Sequence, residues 1–344
     1  MAVRLPLVLM VLCAAAAITV AAALPFSAAV GAAPAPASRS SRNDYANARF
    51  TARLTTALHA FYARDFKGAQ ADFERVLDVI PDNTLALSFL NAAAAQQPGE
   101  LDSLTNVEED ASAGAPKNYV NRVRLGFSYM FQSVAGRDRM QDARDELNAA
   151  VNLDERGQAG HVGLGIMRFN ERSANRAKTE LLLALKADPN NVLAREYLGQ
   201  LYQTDLRDPQ RGLSYLIDVP NLVPTYADIE FHIGSLLYDL GQPQAAIAYV
   251  QKGLALDTGH VGEAGQHGYT LLARIYLDQR KVADAKRVLN AALTADTDTI
   301  FARTLLRRID DGDYAPKTAA SPIPGGAPPA QPSAEPSPTD SPQA

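Results

Sequence analysis

A chain of 344 residues, 47% hydrophobic and 21% charged, can bury a sizeable core and is long enough for two average domains or one extended array. Its 33 Lys and Arg against 38 Asp and Glu leave a formal charge of −5, which argues against the basic surface that a nucleic-acid binder needs. The single cysteine, Cys13, excludes a disulfide framework and a thiolate zinc site.

The first element is a targeting segment, residues 1–29. Arg4 precedes an uncharged stretch over 5–38, with an apolar heart at 5–12 and an Ala-rich continuation at 14–23. Pro25 stops any helix there, and Ala21-Ala22-Ala23 or Ser27-Ala28-Ala29 offers the small residues of a cleavage site. This pattern predicts a signal peptide and export to a periplasmic or extracellular space. Two alternatives stay open. Residues 5–24 are long enough to remain as a membrane tether, and Cys13 would be the modified residue of a lipoprotein, although Leu12 before it is bulky. A Pro/Ala/Ser linker over 30–49 follows, and 313–344 is a Pro/Ala/Ser-rich tail without enough apolar residues to repay the entropy of ordering. The folded body is therefore placed at 50–312.

Within that body a small residue recurs at Ala69, Ala143, Ala177, Gly212, Ala246 and Ala285, each followed four positions on by Phe73, Leu147, Leu181, Leu216, Val250 and Leu289. From Ala143 onward the spacings are 34, 35, 34 and 39. A second series, Leu125-Gly126, Leu164-Gly165, Leu198-Gly199, Ile233-Gly234 and Leu272-Ala273, is spaced 39, 34, 35 and 39. A generic bundle would share the 3.6 period but not this longer one. Pro81 and Pro189, beside Asn and Asp, mark where a second helix stops.

These residues, with VLAREYLGQLY at 192–202 and RAKTELLLALKADPNN at 176–191, resemble the tetratricopeptide repeat, a 34-residue helix–turn–helix unit. The resemblance covers about 50–83 and 117–298. It implies an all-α, right-handed α-α superhelix (solenoid) of about six to seven hairpins. The chain departs from the family in having no Trp, in moving one proline stop to Pro220, and in placing Thr258 and Thr297 where prolines are expected. Residues 84–97 read as a first helix without its second. Residues 98–116, with Glu100, Asp102, Glu108, Glu109 and Asp110, read as a decayed helix or a solvated loop. An acidic loop docking a basic partner or a cation is the functional alternative. Residues 300–309 read as a closing helix with Arg303, Arg307 and Arg308 outward.

No phosphate loop, dinucleotide fingerprint, nucleophile elbow or H-E-x-x-H motif occurs, so neither catalytic residues nor cofactor or metal ligands are assigned. His260 and His267, with Glu263 between them, read as loop residues and not as a metal site. The family resemblance implies that protein or peptide segments bind the concave face of the array. Its groove positions fall on Phe61 and Tyr62, on Phe169 and Asn170, on Glu196, Gln200 and Gln203, on Asp228, Phe231 and Tyr238, and on Arg274. The competing role for the aromatics is core between repeats. The expectation is an exported, non-enzymatic scaffold. The alternatives are an accessory subunit of an envelope enzyme or assembly complex, and a homo-oligomer joined through the closing helix.

Overall fold

The computed structural model describes residues 44–314, and the segments expected to carry targeting and the tail lie outside them apart from short margins. Among the described residues every regular element is helical. After a single 3-10 turn come α1 (Ala48–Tyr62) and α2 (Phe66–Leu77), α3 (Thr84–Ala95) and α4 (Glu100–Gly114), α5 (Tyr119–Val134) and α6 (Met140–Leu153). The array continues with α7 (Gln158–Asn170) and α8 (Ala174–Ala187), α9 (Val192–Thr204) and α10 (Pro209–Leu216), and the single-turn α11 (Val219–Leu222). It ends with α12 (Ala227–Asp239) and α13 (Pro243–Leu256), α14 (Glu263–Asp278) and α15 (Val282–Thr294), and the unpaired α16 (Thr299–Asp310). This is a solenoid of seven helix hairpins plus a closing helix, whose Arg303, Arg307 and Arg308 are exposed.

The two sequence series meet inside each hairpin. A Cβ on Gly126 would fall 2.7 Å from Leu147, one on Gly165 2.7 Å from Leu181, one on Gly199 2.6 Å from Leu216, and one on Gly234 2.5 Å from Val250. Each of those four partners is fully buried. Only a hydrogen in place of a side chain lets the two helices come this close. The second helices bury one narrow stripe, such as Ala177, Leu181 and Ala184 on α8, and form the outer layer. The first helices are buried on several sides and form the inner layer; α9 buries ten of its thirteen residues.

Starts and turns repeat as well. Asn83, Asn118 and Asn191, each two residues after a proline, cap α3, α5 and α9 by accepting a backbone N–H. Between paired helices one residue is left-handed: Arg64, Gly99, Gly136, Arg172, Arg207, Gly241 and Arg280, at intervals of 34 to 39. In the fifth unit Pro220, which has no N–H to donate, lies in the separate turn α11 beyond the short α10.

Residues 98–116 are not a loop. They hold α4, a complete second helix whose Leu101 and Leu104 are buried and whose acids pair with α5 and its flanks. Buried Glu108 accepts from Arg124 at 2.7 Å, and Arg124 also reaches Glu74 on α2 at 3.1 Å. Glu109 accepts from Tyr129 at 2.8 Å and Arg139 at 3.0 Å, and Asp102 pairs with Arg137. Asp102, Glu108 and Glu109 are thus spent on holding neighbouring units together, and of the five acids Glu100 and Asp110 are the ones left exposed.

The spiral closes on itself. The N–H of Gly259, in the loop between α13 and α14, donates to the Tyr62 carbonyl at the end of α1 at 2.6 Å, and the Thr258 hydroxyl donates to the same oxygen at 3.3 Å. The Tyr62 hydroxyl donates to Asp228 on α12 at 3.4 Å, and the Phe89 and Tyr226 rings meet edge-on at 5.6 Å. Further along, the Thr84 hydroxyl reaches Asn191 at 3.2 Å. Inside this closed turn lies α3, with residues 84–94 all buried, as its LALSFLNAAAA composition requires of a helix apolar on every side.

The Gly234 contact also meets backbone, with the Ala246 carbonyl 3.1 Å and the Val250 nitrogen 3.3 Å from an added Cβ. Gly234→Ala is therefore expected to cost about 1–3 kcal/mol through overpacking. Gly114→Ala, with nothing within 4 Å of its added Cβ, is expected to gain roughly 0.4–1 kcal/mol. Denaturant melts of both variants check the contrast.

Candidate functional site

The closure leaves a partly open cavity of about 60 Å³ at the inner wall. Ser88, Phe89 and Ala92 of α3, Phe131 of α5, and Leu193, Glu196, Tyr197 and Gln200 of α9 line one part of it. Tyr226 and Asp228 at the start of α12, and Gly262 and Glu263 at the start of α14, complete it. On α9 the lining residues stand at i, i+3, i+4 and i+7, one face of a helix whose start is fixed by the Asn191 cap. The start of α14 is fixed by Asp257, whose carboxylate accepts the N–H groups of Val261, Gly262 and Gly265 at 2.9, 2.8 and 2.9 Å. Glycine is required at 262, because a Cβ there would lie 2.4 Å from the Asp228 carboxylate and 2.9 Å from the Tyr62 ring.

Three carboxylates thus converge from three helices. Glu196 accepts the Tyr226 hydroxyl at 2.5 Å, and its other oxygen lies 3.2 Å from His232 Nε2. The same imidazole nitrogen is 3.4 Å from Glu263. Asp228 has only long contacts, the Tyr62 hydroxyl at 3.4 Å and the Ala264 N–H at 3.3 Å. Burial, with Asp257, Glu263 and Glu196 nearby, pushes the Asp228 carboxyl well above its ordinary range. Burial also raises Glu263 in spite of His232. Burial works against a charged His232, but Glu263 and Glu196 outweigh it and lift the imidazole to about 9. His267 goes the other way, held down by burial and by the His232 charge. The phenols of Tyr62, Tyr197 and Tyr226 are raised well above 10.0 by burial, then by the nearby carboxylates, and stay neutral.

Among the residues expected in the groove, Glu196, Gln200 and Asp228 line this cavity and Tyr62 braces Asp228. Phe61 is fully buried against Phe89 at 4.8 Å, and Phe169 stands behind Tyr197 at 5.3 Å. Phe231 is half-buried between the His232 and His267 rings. Asn170 and Arg274 are exposed, while Gln203 and Tyr238 are half-buried near the ends of their helices. Ser88, Phe89, Phe131, Tyr197, Tyr226 and His232 fall outside the groove positions implied by the sequence; of them Tyr197 shares a helix face, on α9, with residues inside that set. Among the described residues no group of His, Cys, Asp and Glu is placed to hold a metal ion, and no helix is long and apolar enough to cross a membrane.

A solenoid of stacked helix hairpins is the class that this geometry defines. A tetratricopeptide repeat model matches residues 227–260, which span α12, α13 and the turn after them, and the array as a whole has the fold of a tetratricopeptide-repeat solenoid. Comparison with curated proteins returns no sequence match. Among solved structures, the human IFIT1 dimer with PPP-AAAA is similar at a TM-score of 0.53 and 16% identity, over 72% of this chain and 61% of that one. YrrB, a tetratricopeptide protein with an unusual peptide-binding site, aligns at 18% identity over 59% of this chain and 99% of its own, with a TM-score of 0.45. A tetratricopeptide repeat protein from Parabacteroides merdae aligns at 15% identity over 75% and 98%, also at 0.45.

Because folding raises the His232 pKa from 6.5 to about 9, the folded chain holds that proton more tightly than the unfolded one. The resulting stability is complete below about pH 6.5 and is lost as pH climbs through about 9. The raised Asp228 and Glu263 carboxyls act in the same sense from the acid side, their contribution fading as pH rises out of the carboxylate range. Thermal stability is expected to fall over the histidine window by at most about 3 kcal/mol. In His232→Gln this fall should flatten, and melts across the pH range read the difference.

Proposed function

We propose that this protein is an exported, non-enzymatic scaffold that binds protein segments along the accessible ends of its inner helices. The fold supports it, since tetratricopeptide arrays present stacked hairpins as an interaction surface. The observation that carries it is a polar ladder across three successive units. The Gln203 amide donates to Ser235 at 2.8 Å and Asp239 at 2.7 Å, Tyr238 bonds Asp278, and the Tyr314 hydroxyl donates to Asp278 at 2.8 Å. These groups, with exposed Asn170 and Arg274 at neighbouring helix ends, offer a pre-ordered polar strip beside the buried interior. The apolar segment at 5–24 and the small residues after it support export.

Panning a random linear-peptide library against the purified chain tests the binding role. Enriched peptides should lose at least about tenfold in affinity with Gln203→Ala or Arg274→Ala, and keep it with Leu182→Ala on the outer layer. No enrichment, or equal loss in all three variants, would overturn the reading. For export, the intact mass of the mature protein should correspond to a start after Ala23 or Ala29.

A further inference from the structure

We propose that the cavity enclosed by α3, α5, α9, α12 and α14 is a binding site for a primary alkylammonium group. Its walls combine four aromatic rings, Phe89, Phe131, Tyr197 and Tyr226, with three carboxylates, Glu196, Asp228 and Glu263. Ring faces and carboxylates together are the surroundings that stabilise a desolvated organic cation.

Charge balance marks this place out within the fold. Buried Glu108 is paired with Arg124 at 2.7 Å, buried Glu230 with Lys252 at 2.5 Å, and Asp257 has three backbone N–H donors. The cavity wall has three carboxylates and no Lys, Arg or His; His232 stands against Glu196 and Glu263 outside that wall, and the two contacts of Asp228 are both 3.3 Å or longer. A cation arriving there would favour the ionised form of Asp228 and complete the kind of pairing that Glu108 and Glu230 make with Arg124 and Lys252.

The hydroxyls give an independent indication. Ser88 and Tyr197 line the cavity at 7% and 3% exposure, and neither hydroxyl has a hydrogen-bond partner among the described residues. Four other buried hydroxyls are satisfied, Ser128 by Asn91, Thr84 by Asn191, Tyr226 by Glu196 and Thr297 by the Gly265 carbonyl, while Thr225 beside Tyr226 and Ser112 on α4 also lack a partner. Two hydroxyl oxygens without a partner, in a wall that also holds three carboxyl groups, can accept from a donor, and an ammonium carries three N–H groups. A cavity of about 60 Å³ takes an ammonium and a few methylenes; it is far below the roughly 300–1,000 Å³ of cofactor-sized pockets. The donor set does not converge as a divalent cation demands.

The same group can arrive as a lysine side chain of a bound segment or as a free small amine. The lysine source rests on the segment-binding role proposed above; the free-amine source does not.

The test titrates n-butylammonium and, separately, neutral n-butanol into the full-length protein at constant ionic strength, following binding by calorimetry and by ring-proton NMR. Butylammonium should saturate one site and butanol should not. Asp228→Asn and Ser88→Ala should each weaken butylammonium at least about tenfold. If Asp228→Asn disturbs the closure, Ser88→Ala and Tyr197→Phe, which leave every charge in place, carry the comparison. A parallel arm compares a lysine-containing peptide with its acetyl-lysine form. Tighter binding of the lysine form that butylammonium competes away assigns the partner's side chain as the source. Butylammonium binding without any peptide binding assigns a free amine, and leaves the segment-binding role to stand or fall on its own test. Equal behaviour of butylammonium and butanol, or binding unaffected by all three substitutions, overturns the proposal.

Discussion

Contact between paired helices at a glycine or alanine sets the geometry on which everything else in this molecule rests. Gly126, Gly165, Gly199 and Gly234 each sit against a fully buried branched side chain of the partner helix, so the hairpins are narrow and nearly identical. Narrow units of equal length stack with a small constant rotation, and the rotation accumulates along the array. After six units the chain has come round far enough for the α13–α14 loop to hydrogen-bond the end of α1. A bulkier residue at the crossing of even one hairpin would alter that rotation and misplace the closure.

Closure decides what the inner wall can be. A long open groove would leave its aromatics accessible, whereas here Phe61, Phe89 and Phe169 are core and α3 fills the centre of the turn. The accessible features of the inner wall include the polar strip at the helix ends and a small cavity. That cavity gathers polar groups because it lies where elements distant in sequence meet. Glu196, Asp228 and Glu263 are brought together by three separate helices, with His232 as the single cation between two of them.

The repeat was legible because its cause is local and recurs: a small residue, then a large apolar one four positions on, at every crossing. The helix stops at Pro81 and Pro189 were legible for the same reason, whereas the capping role of Asn83 and Asn191 beside them emerges only from the structure. The helix α4 was not, since its sequence is dominated by acids, and their neutralising arginines, Arg124, Arg137 and Arg139, lie on or just after the next helix. The turns were obscured because four left-handed positions hold arginine where glycine or asparagine is the usual signal. Closure had no local signature at all, as Tyr62 and Asp228 are 166 residues apart. The cavity was half visible: Glu196, Gln200 and Asp228 follow from their helix positions, but Tyr197, Tyr226 and Ser88 acquire meaning only once the turn is closed.

The closed turn around α3 is the central claim, and amide hydrogen exchange of the full chain tests it most directly. If the turn is closed, the amides of α3 exchange as slowly as the most protected inner helices, and the Gly259 amide is protected by the Tyr62 carbonyl. Exchange across α3 as fast as in the exposed closing helix α16, together with an unprotected Gly259, would contradict it.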